Sequence, residues 1–446
     1  SRAERAEILS HNSQDATRSL AILGSQPEAL LMAVLFAEAR VHTYLAGPFE
    51  GSSERSLGRA WDEAQWLLSL HRKNGTIRQA ADVRDLPLSD IEDIVVAGHA
   101  TNQRETGDLE RVVRDVAKNL QKNSNLTFTG LCRPGYTLET IGETVRKYSG
   151  LSIGSEVGLC YSPLLWNGEP LHAFRERPAI IAGIGDKAVS HVQDVFLRIF
   201  PTMTTTSKVN AAEAAGLFTP IYRDVVGALQ LELANMCEGE RVDYSDAIDL
   251  CKAFGLHNLG VPRTTPARDA LASQIAISSN RNGWNSHLIR AARRVNEHAH
   301  TQILIMIKNA LARCGRRMRH SRIAVLGLHG LRPSTGARHE PPQILQTLER
   351  RGAIVSLYPG EIPVASLNGL AESITVEKTI SKAVQRANCA LIALERPVET
   401  ELNPQRLASE MTRPAAICDL TRVMEASNVE RAGLFYTSIG RGSPEA

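Results

Sequence analysis

The sequence predicts an α/β protein of two doubly wound domains joined by an α-helical connector domain. Three observations predict it. Short apolar runs alternate with helical patterns over the first 200 or so residues, long helical patterns without strand-like runs follow, and the alternation resumes near residue 322. The first run, Ser19-Leu20-Ala21-Ile22-Leu23-Gly24, reads as a buried strand ending in glycine. Residues 28–39 read as a helix with Leu31 and Leu35 at helical spacing, and 41–45 as a second strand. Strand, helix, strand within about 30 residues is the unit of a doubly wound parallel sheet. Further strands are expected at 94–97, 126–128 and 179–183, with a helix at 107–121. The middle reads as helices at 210–237, 244–254 and 284–313. The second α/β half has strands at 322–327, 353–358, 389–394 and 415–419 and a helix at 342–351. The expected domains are a polar segment 1–17, a first α/β domain 18–205, a helical dimerisation domain 206–314 and a last α/β domain 315–442.

Composition narrows the classes of function. The chain has 446 residues, enough for two or three well-buried cores, and its 43% apolar and 22% charged content is ordinary for a globular protein. A net charge of +3 points to neither a nucleic-acid nor a membrane partner. The basic run from Arg313 to His320 reads first as a solvated helix end and second as a phosphate-binding patch. Seven scattered cysteines form no Cys-x-x-Cys pair and no zinc-like spacing, so no metal and a reducing, cytoplasmic setting are expected. No apolar run approaches the roughly 18 residues of a membrane span, and residues 1–17 lack the apolar core of a secretory signal.

Several local motifs carry a resemblance along nearly the whole chain. They are Cys160-Tyr161-Ser162-Pro163, Ala212-Glu213, Tyr222-Arg223-Asp224-Val225, Ala292-Arg293-Arg294-Val295-Asn296, Val325-Leu326-Gly327-Leu328 and the tail from Gly433 to Gly442. In this order and spacing the chain resembles the UDP-glucose/GDP-mannose dehydrogenase family, particularly its UDP-N-acetylmannosamine (UDP-N-acetylhexosamine) 6-dehydrogenase branch. The resemblance implies two Rossmann-like domains, NAD as cofactor, and oxidation of an alcohol to a carboxylate through a cysteine.

At the positions of that chemistry this chain departs from the family. The dinucleotide turn reads Gly24-Ser25-Gln26-Pro27-Glu28-Ala29, which keeps the first glycine, replaces the second by Gln26 and the third by Ala29. Pro27 removes a backbone N–H from the helix start, Glu28 puts negative charge near the pyrophosphate place, and the ribose-binding acidic position falls on Gly47. From these changes no cofactor is expected. The thiol place falls on Gly260 in Asn258-Leu259-Gly260-Val261-Pro262, and the nearby aspartate place on Thr264. The family's threonine, glutamate, lysine and asparagine places fall on Leu131, Leu164, Gly216 and Pro220. Loss of one acid or base costs about 10²–10⁴ in rate, but loss of the nucleophile closes the covalent route. Cys132 as a replacement thiol and His257 as a surviving acid–base group are both weaker readings than structural roles.

The nucleotide-sugar side is less altered. The family segment that contacts the substrate nucleotide corresponds to 327–333, so Arg332, Arg338 and, in Asp419-Leu420-Thr421-Arg422, Arg422 are the candidate UDP-sugar contacts. The expected function is therefore a catalytically inactive homologue acting as a homodimer or as a hetero-oligomer with an active paralogue. Two alternatives stay open: an NAD-dependent UDP-N-acetylhexosamine 6-dehydrogenase with a rearranged site, and a UDP-sugar-sensing protein.

Overall fold

A computed structural model describes residues 19–24, 26–47, 59–166, 169–262, 267–279, 285–328, 331, 342–360, 370–394 and 402–441. They fall into two compact units that meet in sequence between Leu217 and Phe218.

The first unit is built on eight strands: β1 (Ser19–Leu23), β2 (His42–Ala46), β3 (Ile77–Ala80), β4 (Asp93–Ala97), β5 (Asn125–Thr129), β6 (Gly158–Ser162), β7 (Ala179–Ile184) and β8 (Met203–Thr206). Their order is β3-β2-β1-β4-β5-β6-β7-β8, and only the β6–β7 pair is antiparallel. Strands β4, β5 and β6 are buried along their whole length, as expected of central strands in a parallel sheet covered on both faces. The helix Pro27–Glu38 buries eleven of its twelve residues, so it reads as apolar all round rather than as a striped surface helix. Its Phe36 meets Phe196 edge to face at 5.6 Å between ring centroids.

The second unit carries a six-stranded, all-parallel sheet of β9 (Arg322–Leu326), β10 (Ile354–Tyr358), β11 (Thr375–Val376), β12 (Cys389–Ile392), β13 (Ala416–Asp419) and β14 (Phe435–Thr437). The order is β11-β10-β9-β12-β13-β14. With it belong most of the helix Val209–Gly239 and the helices Tyr244–Ala253, Ala267–Ser278 and His287–Arg313. Ile303, Ile307 and Leu311 pack with Val325 and Leu391 in one core.

Both sheets reverse strand order beside their first strand, at β1/β4 and at β9/β12, and the same glycine marks each reversal. Gly24 follows β1, has φ +144° and donates to the Ala46 carbonyl at 3.0 Å. Gly327 follows β9, has φ +85° and donates to the Tyr358 carbonyl at 2.7 Å. A Cβ at Gly24 would lie 2.0 Å from the Ala97 oxygen, and one at Gly327 would lie 2.3 Å from the Ala393 oxygen. Only glycine permits so close a strand-end crossing. The internal echo expected from the two α/β halves is therefore present at atomic level.

The strands and long helices expected from the sequence are present, with ends shifted by a few residues. The helix expected at 107–121 runs over Gln103–Ala117 because the Asn102 side chain caps it, accepting from the Glu105 N–H at 3.0 Å. Strands β3, β6, β8, β11 and β14 were not expected. All but the central β6 are sheet edges of two to four residues, which pair on one side only.

Candidate functional site

Ligands of doubly wound sheets bind outside the carboxyl ends of the strands, where the order reverses. In the first unit that place is the end of β1, where Gly24 leads to the helix Pro27–Glu38. Gln26 is the N-cap residue and gives the helix no side-chain cap, Pro27 has no N–H, and the Ala29 N–H is used on the Gln26 carbonyl at 3.0 Å. Glu28 is 2% exposed, and its Oε1 accepts from the Trp166 backbone N–H at 2.7 Å. A carboxylate in the first turn is favoured by the helix dipole, and here it ties down the segment that follows β6. That segment is held from its other side by Trp166 Nε1 donating to the Glu169 carbonyl at 2.7 Å. Gly47 stands just beyond β2 and brings no carboxylate to a ribose. Of the positions that would hold NAD, Gly24 keeps the tight turn at the end of β1. Gln26, Pro27, Glu28 and Gly47 do not fit the family's pyrophosphate and ribose contacts, and Ala29 is a neutral replacement.

Of the positions aligned with the family's chemistry, Gly216 lies against Tyr161. Its ring is fully buried and its hydroxyl donates to the Gly130 carbonyl at 2.9 Å. Leu131 is 1% exposed, and its N–H donates to His99 Nδ1 at 3.0 Å, which makes that nitrogen the unprotonated one. Leu164 is buried too. At Gly216 a Cβ would meet the Tyr161 hydroxyl oxygen at 2.8 Å and Pro163 Cβ at 2.9 Å, so the space of a side chain there is already filled. Pro220 lies one turn further on in the same helix and lacks the N–H that would bond back to the Gly216 carbonyl.

Glu213 shows what the surviving motif residues do. Its carboxylate accepts from the Gly135 N–H at 2.5 Å, the Thr137 N–H at 2.7 Å and the Cys132 thiol at 3.6 Å. It thereby fixes the loop after β5. Burial, with the Glu213 charge beside it, pushes the Cys132 thiol well above its ordinary value. A protonated, buried thiol is a poor nucleophile. Cys132 is accordingly expected to resist iodoacetamide at pH 8 in the folded protein and to react after denaturation. Mass spectrometry checks this, and rapid native alkylation at Cys132 would reopen its candidacy.

In the second unit Gly260 is exposed, accepts from the Tyr244 hydroxyl at 3.2 Å through its carbonyl, and has no atom of the described residues within 4 Å of where a Cβ would stand. His257 is also exposed. Thr264, Arg332 and Arg338 lie outside the described residues. Arg422 is committed inside the unit. It donates to Asp243 Oδ1 at 2.8 Å, to the Ser245 hydroxyl, and to the Ile439 carbonyl at 3.0 Å. Asp419 accepts from the Thr421 and Met424 N–H groups, both at 3.0 Å, and burial raises its pKa. This Asp-x-x-Arg element anchors the chain's tail.

Two sequence anchors meet around Asp224. Its Oδ1 accepts from Arg293 at 2.8 Å and Asn296 at 2.7 Å, and its Oδ2 accepts from Ser273 at 2.5 Å. Beside it Arg223 grips Asp269 through Nε at 3.0 Å and a terminal nitrogen at 2.7 Å. Asp269 and Ser273 lie outside every quoted motif, so only contact in space identifies them. Among the described residues, no group of three or more metal-ligating side chains forms a metal site, and no helix is long and apolar enough to cross a membrane.

The two glycine-marked sheets define a doubly wound α/β protein. No family model matches the chain. It is 23% identical over 326 residues to protein CapL of Staphylococcus aureus, covering 70% of this chain and 74% of that protein. It is 24% identical over 343 residues to a UDP-N-acetyl-D-mannosamine dehydrogenase of Pyrococcus horikoshii, covering 75% and 77%. The solved structure of the UDP-D-ManNAc dehydrogenase from Pyrococcus horikoshii superposes with a TM-score of 0.76 at 20% identity, covering 95% of this chain and 99% of that one. The homologues and structural neighbours of this chain are thus members of the UDP-glucose/GDP-mannose dehydrogenase family, UDP-N-acetylmannosamine dehydrogenases among them. This is the family that its motifs resemble. The expectation of no cofactor is corrected here, because these relatives are NAD-dependent dehydrogenases. That expectation rested on residue types alone, chiefly Gln26, Pro27, Glu28 and Gly47.

Proposed function

We propose that the chain is an NAD-dependent UDP-N-acetylhexosamine dehydrogenase homologue with a rearranged site, and that it does not use a thiol at residue 260. The relatives support the class, since the match runs along most of both chains. The geometric support is the tight glycine turn at Gly24, which stands at the end of β1 where the strand order reverses. The residues that would hold the nucleotide sugar are Arg332 and Arg338; Arg422 holds the tail through Asp243 and the Ile439 carbonyl. When bound, NAD would supply the acceptor for an oxidation; the chain's own part is orientation, through Gly24 and the segment held by Glu28.

Calorimetry with millimolar NAD and with UDP-N-acetylhexosamines tests this reading. Heat from both ligands, and NADH absorbance when they are mixed, are the expected results. No heat and no thermal shift with either would sink it.

A specific observation favours a second reading, a catalytically inactive subunit that works through assembly. The lysine place at Gly216 is filled by Tyr161 and Pro163. Phe218, Tyr222, Leu229 and Met236 are exposed at helical spacing on one side of the helix Val209–Gly239. A two-fold axis at Leu229 would set Tyr222 of one copy against Met236 of another, a self-complementary pairing for a homodimer; an active paralogue would use the same stripe.

NADH formation by the unaltered chain separates the two, and Gly260→Cys tests what they share, that one restored thiol does not complete the site. The described residues leave the space around Gly260 open, so the variant is expected to fold and to carry a titratable thiol, with no gain in NADH formation. Thiol-dependent turnover in that variant would show that only one group had been missing.

A further inference from the structure

We propose that the second unit has a separate binding site for a phosphorylated sugar or nucleoside, in the pocket between the C-terminal ends of the helices Val209–Gly239 and His287–Arg313 and the strand β14. The cavity is about 430 Å³, within the range that holds a small metabolite. Three guanidinium groups line it, from Arg241, Arg313 and Arg441. Arg313 lies over the Phe435 ring at 5.2 Å, which fixes its plane, and has no carboxylate partner among the described residues. Arg441 is held over Tyr436 at 5.0 Å and paired with Glu430 at 2.9 Å. The one lining carboxylate, Glu238, is occupied by the Gly440 N–H at 2.6 Å, and burial raises its pKa, so it opposes an anion less than an exposed glutamate would.

A second observation points to hydroxyl groups on the ligand. Gln302 Oε1 is buried in the pocket wall and has no donor among the described residues. An unsatisfied buried acceptor is costly, and a ligand hydroxyl would satisfy it. Guanidinium groups match phosphate oxygens with paired N–H donors, so a phosphate at Arg313 with a sugar hydroxyl at Gln302 uses both features. The basic run from Arg313 to His320 adds positive potential at the same end. The site is distinct from the crevice at Gly327. Phe435 begins β14 and Arg313 ends the helix that leads into β9, so this end of the pocket lies at the amino edge of the sheet, whereas the crevice lies at the carboxyl edge.

Calorimetry on the full chain with ribose 5-phosphate, UMP and inorganic phosphate tests the proposal. It needs neither NAD nor turnover, so its outcome is independent of the function proposed above. Ribose 5-phosphate is expected to bind roughly tenfold tighter than inorganic phosphate, and Arg313→Ala to weaken both by roughly tenfold. Gln302→Leu is expected to bring ribose 5-phosphate down to the level of inorganic phosphate while leaving the latter unchanged. UMP binding that is tighter than that of ribose 5-phosphate and weakened by Arg313→Ala would assign a nucleoside phosphate, and equal binding, equally weakened, a sugar phosphate. No heat with any of the three at millimolar concentration would overturn the site. So would binding untouched by Arg313→Ala, an exposed position at which the fold tolerates truncation.

Discussion

Replacing Asp224 with alanine is expected to lower stability by about 3–5 kcal/mol, the cost of leaving one partner of a buried ion pair uncompensated. Asp224 is fully buried and Arg293 is 4% exposed, so water cannot take over the role of the lost carboxylate. The substitution also strands the Asn296 amide and the Ser273 hydroxyl, each of which now donates to it. Urea denaturation followed by circular dichroism reads the loss, and a change below about 1 kcal/mol would show that the cluster is not under tension of this kind. Because a single deletion can simply fail to fold, the double variant Asp224→Leu with Arg293→Met is the second arm. Removing both charges together is expected to cost less than removing either one, since hydrophobic replacement of a whole buried pair is often neutral. A double variant as unstable as the sum of the singles would refute the account.

This cluster also shows how far the sequence can be read. The motifs at 222–225 and 292–296 stand out in the sequence, and in space Asp224 meets Arg293 and Asn296 directly. Their partners Asp269 and Ser273 carry no local signal, because a polar residue on a helix looks the same in sequence whether it faces solvent or a charged partner. The central strands are legible as apolar runs since both of their faces are covered, whereas edge strands such as Ile77–Ala80 and Met203–Thr206 carry half-exposed residues and read as loops. At the cofactor turn the sequence reveals Glu28 as a charge near the phosphate place. It does not reveal that the carboxylate reaches Trp166, 138 residues away, and becomes part of the wall. Residue types at a motif thus report what a site has lost; contacts across the chain report what has replaced it. The cofactor is the clearest instance, because four altered residue types suggested that none binds while homologous chains are NAD-dependent dehydrogenases.

The same distinction governs the lysine place. Gly216→Lys is expected to destabilise the protein by about 3 kcal/mol or more, combining overpacking with burial of an ammonium group. The smaller substitution isolates the steric part. In an exposed helix Gly→Ala gains about 1 kcal/mol, but here it is expected to lose about 1–3 kcal/mol, because the new methyl meets the Tyr161 oxygen at 2.8 Å and Pro163 Cβ at 2.9 Å. Tyr161→Phe removes that oxygen and its bond to the Gly130 carbonyl, at a cost of about 1 kcal/mol on its own. In the double variant Gly216→Ala with Tyr161→Phe the two losses are expected to fall short of additivity by about 1 kcal/mol, as they do for residues that share one space. Strict additivity would mean that Tyr161 does not fill the vacated volume. Coupling of the expected sign would mean that the site has closed around the missing lysine. Catalysis in the family's manner would then require repacking Tyr161 and Pro163 before any charged group could be returned to position 216.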